Sequence, residues 1–282
     1  MPQPIIGIDH VIIGVRDLER ARLAWERLGF TLTPRGRHLA QGTGNYCVMF
    51  PEDYIELLGV VDAAQGFGTL GDFLAKGEGP GGLAFATSSA DEAQRVLASR
   101  GLHPGAPRDL ARQLELPQGT VLPRFKLMSL DAAETPGLNA FLCQHLTPEL
   151  VRRPEWLRHP NGTVGIHGIV VMVEETQKLR QAYERLAGVA VNMTDEVLTV
   201  HLGRHRLHFA TPDDVSALYP EAAIDLARKL PAIAVLLLGV SDPAVTADHL
   251  TQWQVAHDEL ADGSILVPAA EATNTLLIFR KD

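Results

Sequence analysis

Apolar positions along the chain follow two rhythms, and the rhythms come in a fixed order. Ile8-Asp9-His10-Val11-Ile12-Ile13-Gly14-Val15 is a short, nearly continuous apolar run of strand length. Asp17 is then placed to cap a helix, and Leu18, Ala21, Trp25 and Leu28 recur at helical spacing until Gly29 closes it. Strand-like segments follow near 30–33, 46–50 and 54–59. The same order returns beyond the glycine-rich stretch 77–82. Residues 83–87 read as a strand, Ser89-Ala90-Asp91-Glu92 as a capping box, and Ala93, Val96 and Leu97 as the buried face of a helix closed by Gly101. Strands near 113–116, 121–130 and 139–144 complete that unit.

A third unit opens at 164–171 and carries Leu179, Ala182, Tyr183 and Leu186 on a helix ending at Gly188, with strands near 198–202 and 206–210. A fourth opens at 233–239, starts its helix with Asp242 as N-cap and Pro243 at N1, and ends in strands near 264–267 and 275–279. Four units with one pattern predict an internally duplicated α+β fold of strand-helix-three-strand units. The connectors 70–77 and 222–230 read as short helices after turns. Pairing the units gives a domain over 1–150 and another over 163–282, joined by a Pro- and Arg-rich linker at 146–162 that is expected to pack on the first domain.

Composition narrows the function. The chain has 282 residues and a formal charge of −9, which disfavours nucleic acid or an anionic membrane as a partner because phosphate binding needs a basic face. The expected partners are a small-molecule substrate and, at most, a second copy of the chain as a homodimer. The N-terminus does not read as a signal peptide, and no apolar run approaches the roughly 20 residues of a membrane span. Cys47 and Cys143, both in strand-like surroundings, read as buried thiols of a cytoplasmic protein, with one disulfide between them as the alternative. Phosphate loops, nucleophile elbows and Cys-x-x-Cys pairs are absent from the sequence.

Two buried strands each carry one metal-competent side chain among apolar neighbours, His10 in the first and Glu56 in Tyr54-Ile55-Glu56-Leu57-Leu58-Gly59. A buried carboxylate needs a partner, and a histidine with a metal, an arginine or a structural hydrogen bond would each serve. Arg35, Arg37, His38, Thr43 and Asn45 fall on a glycine-rich loop of the kind that carries specificity. There the arginines and Thr43 would bind substrate, His38 would act as acid or base, and Asn45 would orient the substrate.

The duplicated unit, opening Asp9-His10-Val11-Ile12-Ile13-Gly14-Val15-Arg16-Asp17-Leu18 and closing on the Glu56 strand, resembles the vicinal-oxygen-chelate superfamily. That group includes glyoxalase I, extradiol dioxygenases and bleomycin-resistance proteins. Arg35-Gly36-Arg37-His38 with Gly42-Thr43-Gly44-Asn45 looks like its glyoxalase-like branch, and the specific resemblance runs over about residues 5–150. The resemblance implies paired units forming a cupped sheet, with metal ligands on the first and last strands of each unit. His10 and Glu56 match in unit one. Leu83 falls at the first-strand position of unit two and cannot bind metal. On the last strand, alternation puts Phe141, Cys143 and His145 on one face, making His145 the expected third ligand and Cys143 or Gln144 the alternates.

His167 and His208 repeat the ligand positions in unit three without a carboxylate, so the second domain is expected to be metal-free and to serve as structure or as cavity wall, with His159 of the linker a lesser candidate for the cavity. A His10, Glu56 and His145 set suits Zn, Mn or Fe(II). The implied function is a metal-dependent enzyme of the glyoxalase or dioxygenase type, lyase or isomerase chemistry being preferred. The alternatives are an extradiol-type dioxygenase and a metal-free protein that sequesters an antibiotic or other small molecule.

Overall fold

The computed structural model describes residues 3–39, 41–66 and 68–282. The first half carries β1 (Gly7–Val15), β2 (Gly36–His38), β3 (Thr43–Met49), β4 (Tyr54–Val60), β5 (Gly79–Ala86), β6 (Arg108–Leu116), β7 (Gly119–Val121), β8 (Arg124–Ser129) and β9 (Ala140–His145). These form one sheet in the order β2-β3-β4-β1-β5-β9-β8-β6-β7, and a further pairing of β2 with β6 closes it into a cup. The second half carries β10 (Thr163–Met172), β11 (Asn192–Thr194), β12 (Val197–Leu202), β13 (His205–Ala210), β14 (Ala232–Val240), β15 (Asp258–Glu259), β16 (Ile265–Val267) and β17 (Leu276–Lys281). Their order is β11-β12-β13-β10-β14-β17-β16-β15, and this sheet stays open. Its edge strands are short and polar, which blunts pairing with other chains.

Each of the four units returns its last strand parallel to its first: β1 with β4, β5 with β9, β10 with β13 and β14 with β17. Units then join in pairs through the antiparallel contacts β1–β5 and β10–β14. The helices are α1 (Leu18–Arg27), α2 (Thr69–Lys76), α3 (Ala90–Ser99), α4 (Arg180–Ala187), α5 (Pro212–Leu218) and α6 (Pro243–Gln252). None of those described is long and apolar enough to cross a membrane. Asp17 caps α1 by accepting from the Arg20 amide, as its position in the sequence predicts.

Strand alternation sends one set of side chains to the helices and the other into the cups. Ile8, Val11 and Ile13 of β1 join Ile166, Ile169 and Val171 of β10 and the apolar faces of α1, α3, α4 and α6 in one core that runs through both halves. Phe30 stacks on Phe279 across it at 6.2 Å, and Trp25 donates Nε1–H to Thr273 Oγ1 at 3.0 Å. The halves are also pinned by Asp53, which is fully buried before β4. One of its oxygens accepts from the Ile166 amide at 2.9 Å and the other meets His205 Nε2 at 2.9 Å, while His205 Nδ1 accepts from the Ile8 amide. A Cβ on Gly7 would lie 2.6 Å from that imidazole, so only glycine lets β1 approach.

Three local expectations need correction. The stretch 222–230 is turns rather than a helix; the helix of that connector is α5, which starts earlier because Thr211 and Asp214 form a full capping box with Pro212 in the first turn. The Ser89 box is half formed. Ser89 accepts from the Glu92 amide, but Glu92 turns to Arg95 instead of reaching back. Finally, the glycine-rich stretch 35–45 is no free loop, since β2 pairs with both β3 and β6.

The linker packs on the first half through His159, whose Nδ1 accepts from the Thr31 amide at 3.1 Å while Nε2–H donates to Met49 O at 3.0 Å. These bonds define the neutral tautomer, and burial lowers its pKa from the ordinary 6.5 to about 4. Between those values the unfolded chain binds the proton and the native one does not, so stability is full above pH 6.5 and declines as pH falls, by about 1.4 kcal/mol per unit. A His159→Gln variant keeps an acceptor and a donor but does not titrate. Urea midpoints measured from pH 7 to pH 4 should fall less in the variant than in the wild type, and identical slopes would refute this account of the residue.

Candidate functional site

The chemistry of the first cup begins with an irregularity in β1. Ile8 pairs with Phe85 and His10 with Ala84, so β1 spends two residues where β5 spends one. This bulge breaks the alternation and turns both Asp9 and His10 into the cup. His10 Nδ1 sits 2.7 Å from Asp9 Oδ2, and its Nε2 faces Glu56 Oε2 of β4 at 3.7 Å. The ring is held between Tyr54, stacked at 4.4 Å, and the edge of Phe141.

From there a polar ribbon crosses the cup in both directions. Glu56 Oε1 accepts from Asn45 Nδ2 at 2.5 Å, and Asn45 Oδ1 accepts from Arg112 Nη1 at 2.7 Å. On the other side Asp9 Oδ1 meets His145 Nε2 at 3.0 Å and lies 3.8 Å from Arg152 Nη2 of the linker. Asp9, His10, Asn45, Glu56 and Arg112 are all buried. Gly36 makes the room, since a Cβ there would come within 2.1 Å of Asn45 Oδ1 and 2.3 Å of Arg112 Nη1.

Burial alone would raise both acids. For Asp9 the charges and hydrogen bonds of His145 and His10 reverse this and hold the carboxyl well below its usual range. For Glu56 the charges of His10 and His38, the Asn45 hydrogen bond and the Arg112 charge outweigh burial and lower the carboxyl from its ordinary value. Both are carboxylates at neutral pH. His38 Nδ1 lies 2.9 Å from Thr43 Oγ1, and burial lowers its pKa against the pull of Glu56, with Arg112 and His10 adding to the shift. Burial raises the thiols of Cys47, to about 11, and Cys143, and both cysteines are free.

The structure thus brings His10, Glu56, His38, Thr43, Asn45, Cys143 and His145 to one cup. His145 meets Asp9 rather than His10 or Glu56, and its Nδ1 is buried without a hydrogen-bond partner. Asp9, His10 and Cys143 each offer a ligand atom within 4.8 Å of the other two. Imidazole, carboxylate and thiol donors grouped around His10, with a buried nitrogen left over on His145, fit a divalent cation. Asp9 supplies the carboxylate that orients a ligating imidazole through its other nitrogen.

Other residues lie elsewhere. Arg35 bonds Glu115 at 3.0 Å, and Arg37, one residue from the inward Gly36 and His38, alternates away from the cup. Gln144 accepts from the Ala90 amide and caps α3. Leu83 belongs to the shared core, and the inward residue of β5 is Ala84, also unable to bind metal. In β10 a matching bulge pairs Ile166 with Leu238 and Gly168 with Leu237. The counterpart of His10 is therefore Gly168, and His167 corresponds to Asp9; His208 is the counterpart of Glu56 by register.

Sequence reasoning passed over Asp9, Arg112 and Arg152. Arg112 had a signal, because Leu110, Arg112, Leu114 and Leu116 alternate along β6 with the arginine at an inward position. Asp9 had none, its direction being set by the bulge.

A family model described as a glyoxalase-like domain matches residues 8–187. No curated protein matches the chain in sequence. Among solved structures, a hypothetical protein from Staphylococcus aureus is 12% identical with a TM-score of 0.68, over 98% of this chain and 99% of that one. A mutant of 4-hydroxymandelate synthase from Streptomyces coelicolor is 12% identical with a TM-score of 0.60, over 99% and 92%. A xylose isomerase-like TIM barrel/4-hydroxyphenylpyruvate dioxygenase fusion protein is 14% identical with a TM-score of 0.55, over 100% of this chain and 50% of that one. At these identities the likeness is one of fold, and it extends over both halves.

Proposed function

Because the chain belongs to the glyoxalase-like domain family, we propose that its first cup holds a divalent metal and acts on a small oxygen-bearing substrate by lyase or isomerase chemistry. The observation that carries this reading is the facing pair His10 Nε2 and Glu56 Oε2, 3.7 Å apart and buried, with Asp9 on the far nitrogen of the imidazole. His10 and Glu56 would hold the ion, Asp9 would orient the His10 ring from its other nitrogen, and Cys143 would lie close by as a further donor. When bound, the cation polarises a substrate carbonyl and stabilises the negative charge left by a departing proton.

The chain's own groups do the rest. Arg112 fixes Asn45, and Asn45 fixes the Glu56 carboxylate, so this acid is held in one orientation. His38, kept unprotonated near neutral pH by its burial and steadied by Thr43, can accept a proton from a bound substrate. Tyr54, Phe141 and Phe125 form apolar walls that strengthen these electrostatic contacts.

One observation favours a metal-free binding protein instead. Arg152 lies 3.8 Å from Asp9, and Arg112, bonded to Asn45, sets a second positive charge near Glu56 within the cup. The two readings separate when protein stripped with a chelator is titrated calorimetrically with Zn(II), Mn(II) and Fe(II). Saturation at one ion per chain is expected; no saturation by any of the three would leave the sequestering reading.

A further inference from the structure

The second cup repeats the scaffold of the first with its charge reversed. Register on β10, β13, β14 and β17 gives the correspondence. His167 stands at the place of Asp9, His208 at that of Glu56, Arg206 at that of Tyr54 and Arg280 at that of Cys143. Where the first half gathers carboxylates and a thiol, the second gathers guanidiniums and imidazoles. They line a cleft of about 450 Å³ together with Arg204, Leu237 and Asp282. Three arginines thus face one carboxylate among the described lining residues, and that carboxylate is engaged by His167 Nε2 at 2.6 Å.

We propose that this cleft is a binding site for the oxyanion group, phosphate or carboxylate, of a small ligand. Its cations are held in place. Arg206 Nη1 donates to Arg204 O at 3.0 Å, and the Arg280 guanidinium lies over the Tyr219 ring at 5.8 Å. Arg204 Nη2 and Arg280 Nε are nevertheless buried without a hydrogen-bond partner, Arg204 Nη2 being 3.6 Å from Asp53. A buried guanidinium nitrogen left unbonded is costly, and an oxyanion is the acceptor it lacks.

Two glycines clear the space. A Cβ on Gly165 would fall 1.8 Å from Arg204 Nη2, and one on Gly239 would fall 2.5 Å from His167 Nε2. Deeper in the cup, α5 and Tyr219 pack on Val170, Met172, Val235, Leu276 and Ile278, which limits the ligand's charged end to the rim. His208 is kept neutral inside the cleft, because burial lowers its pKa to about 4, with smaller contributions from the charges of Arg280, Arg206 and His201.

The test is a calorimetric titration of the full chain with inorganic phosphate and, separately, acetate, at low and at about 0.5 M sodium chloride. Saturable binding of at least one anion is expected, weakened by salt. An Arg206→Ala change, at an exposed position, and an Arg280→Gln change should each reduce affinity at least about tenfold. Tighter phosphate than acetate would assign a phosphoryl group, and the reverse a carboxylate. Absence of saturation with both anions, or affinity unchanged in both variants, overturns the proposal. Metal binding in the first cup does not enter either outcome.

Discussion

The His10→Ala, Glu56→Gln double variant is expected to lose metal binding while the wild type saturates at one ion per chain. His10 contributes the imidazole nitrogen that faces Glu56, and Gln cannot replace a carboxylate's charge although it keeps the shape that Asn45 grips. Asp9→Asn leaves both of those groups in place and weakens the hold on His10 Nδ1, along with the contacts to His145 and Arg152. Changes to such orienting partners cost about 10–100-fold in affinity, and the double variant should exceed that range. Circular dichroism and a cooperative melt would show that the variant protein is folded. Retention of affinity within about threefold by the double variant would remove the metal from this cup, whatever the chain binds elsewhere.

Asp53→Ala should cost about 3–5 kcal/mol, the range for breaking a buried ionic contact and stranding its partners. The substitution leaves the Ile166 amide and His205 Nε2–H without acceptors and removes the carboxylate nearest Arg204. Asp53→Asn keeps one oxygen for the amide and should cost less. Because α1, α3, α4 and α6 share a single core, the wild type should unfold in one transition, and loss of the Asp53 strut should lower its urea midpoint. A drop below about 1 kcal/mol for the alanine variant would mean that the shared core alone joins the halves.

Much of the site was legible from periodicity. Alternation puts Cys143 and His145 on one face of β9, and both do face the cup. The hidden parts share a cause, which is that each depends on a contact between distant segments. Arg112 enters the site only because β2 pairs with β6, the closing contact that also replaces the expected loop at 35–45. Arg152 arrives from the linker, its guanidinium fixed by the carbonyls of Phe50 and Glu52. Leu83 and Ala84 show how small the margin is, since a one-residue shift in register exchanges core for cup.

The amino-acid pattern by itself determined the four units, their helices and strands, and the presence of His10 and Glu56 on buried strands, because period, caps and turn residues act over a few neighbouring positions. Tertiary structure decided what those strands enclose. Two matching bulges re-aim Asp9 and His10 in one half and His167 in the other, and sheet closure or openness then selects which charges meet. Such choices are set by the energy of pairing residues far apart in the chain, and no local run of side chains encodes that sum.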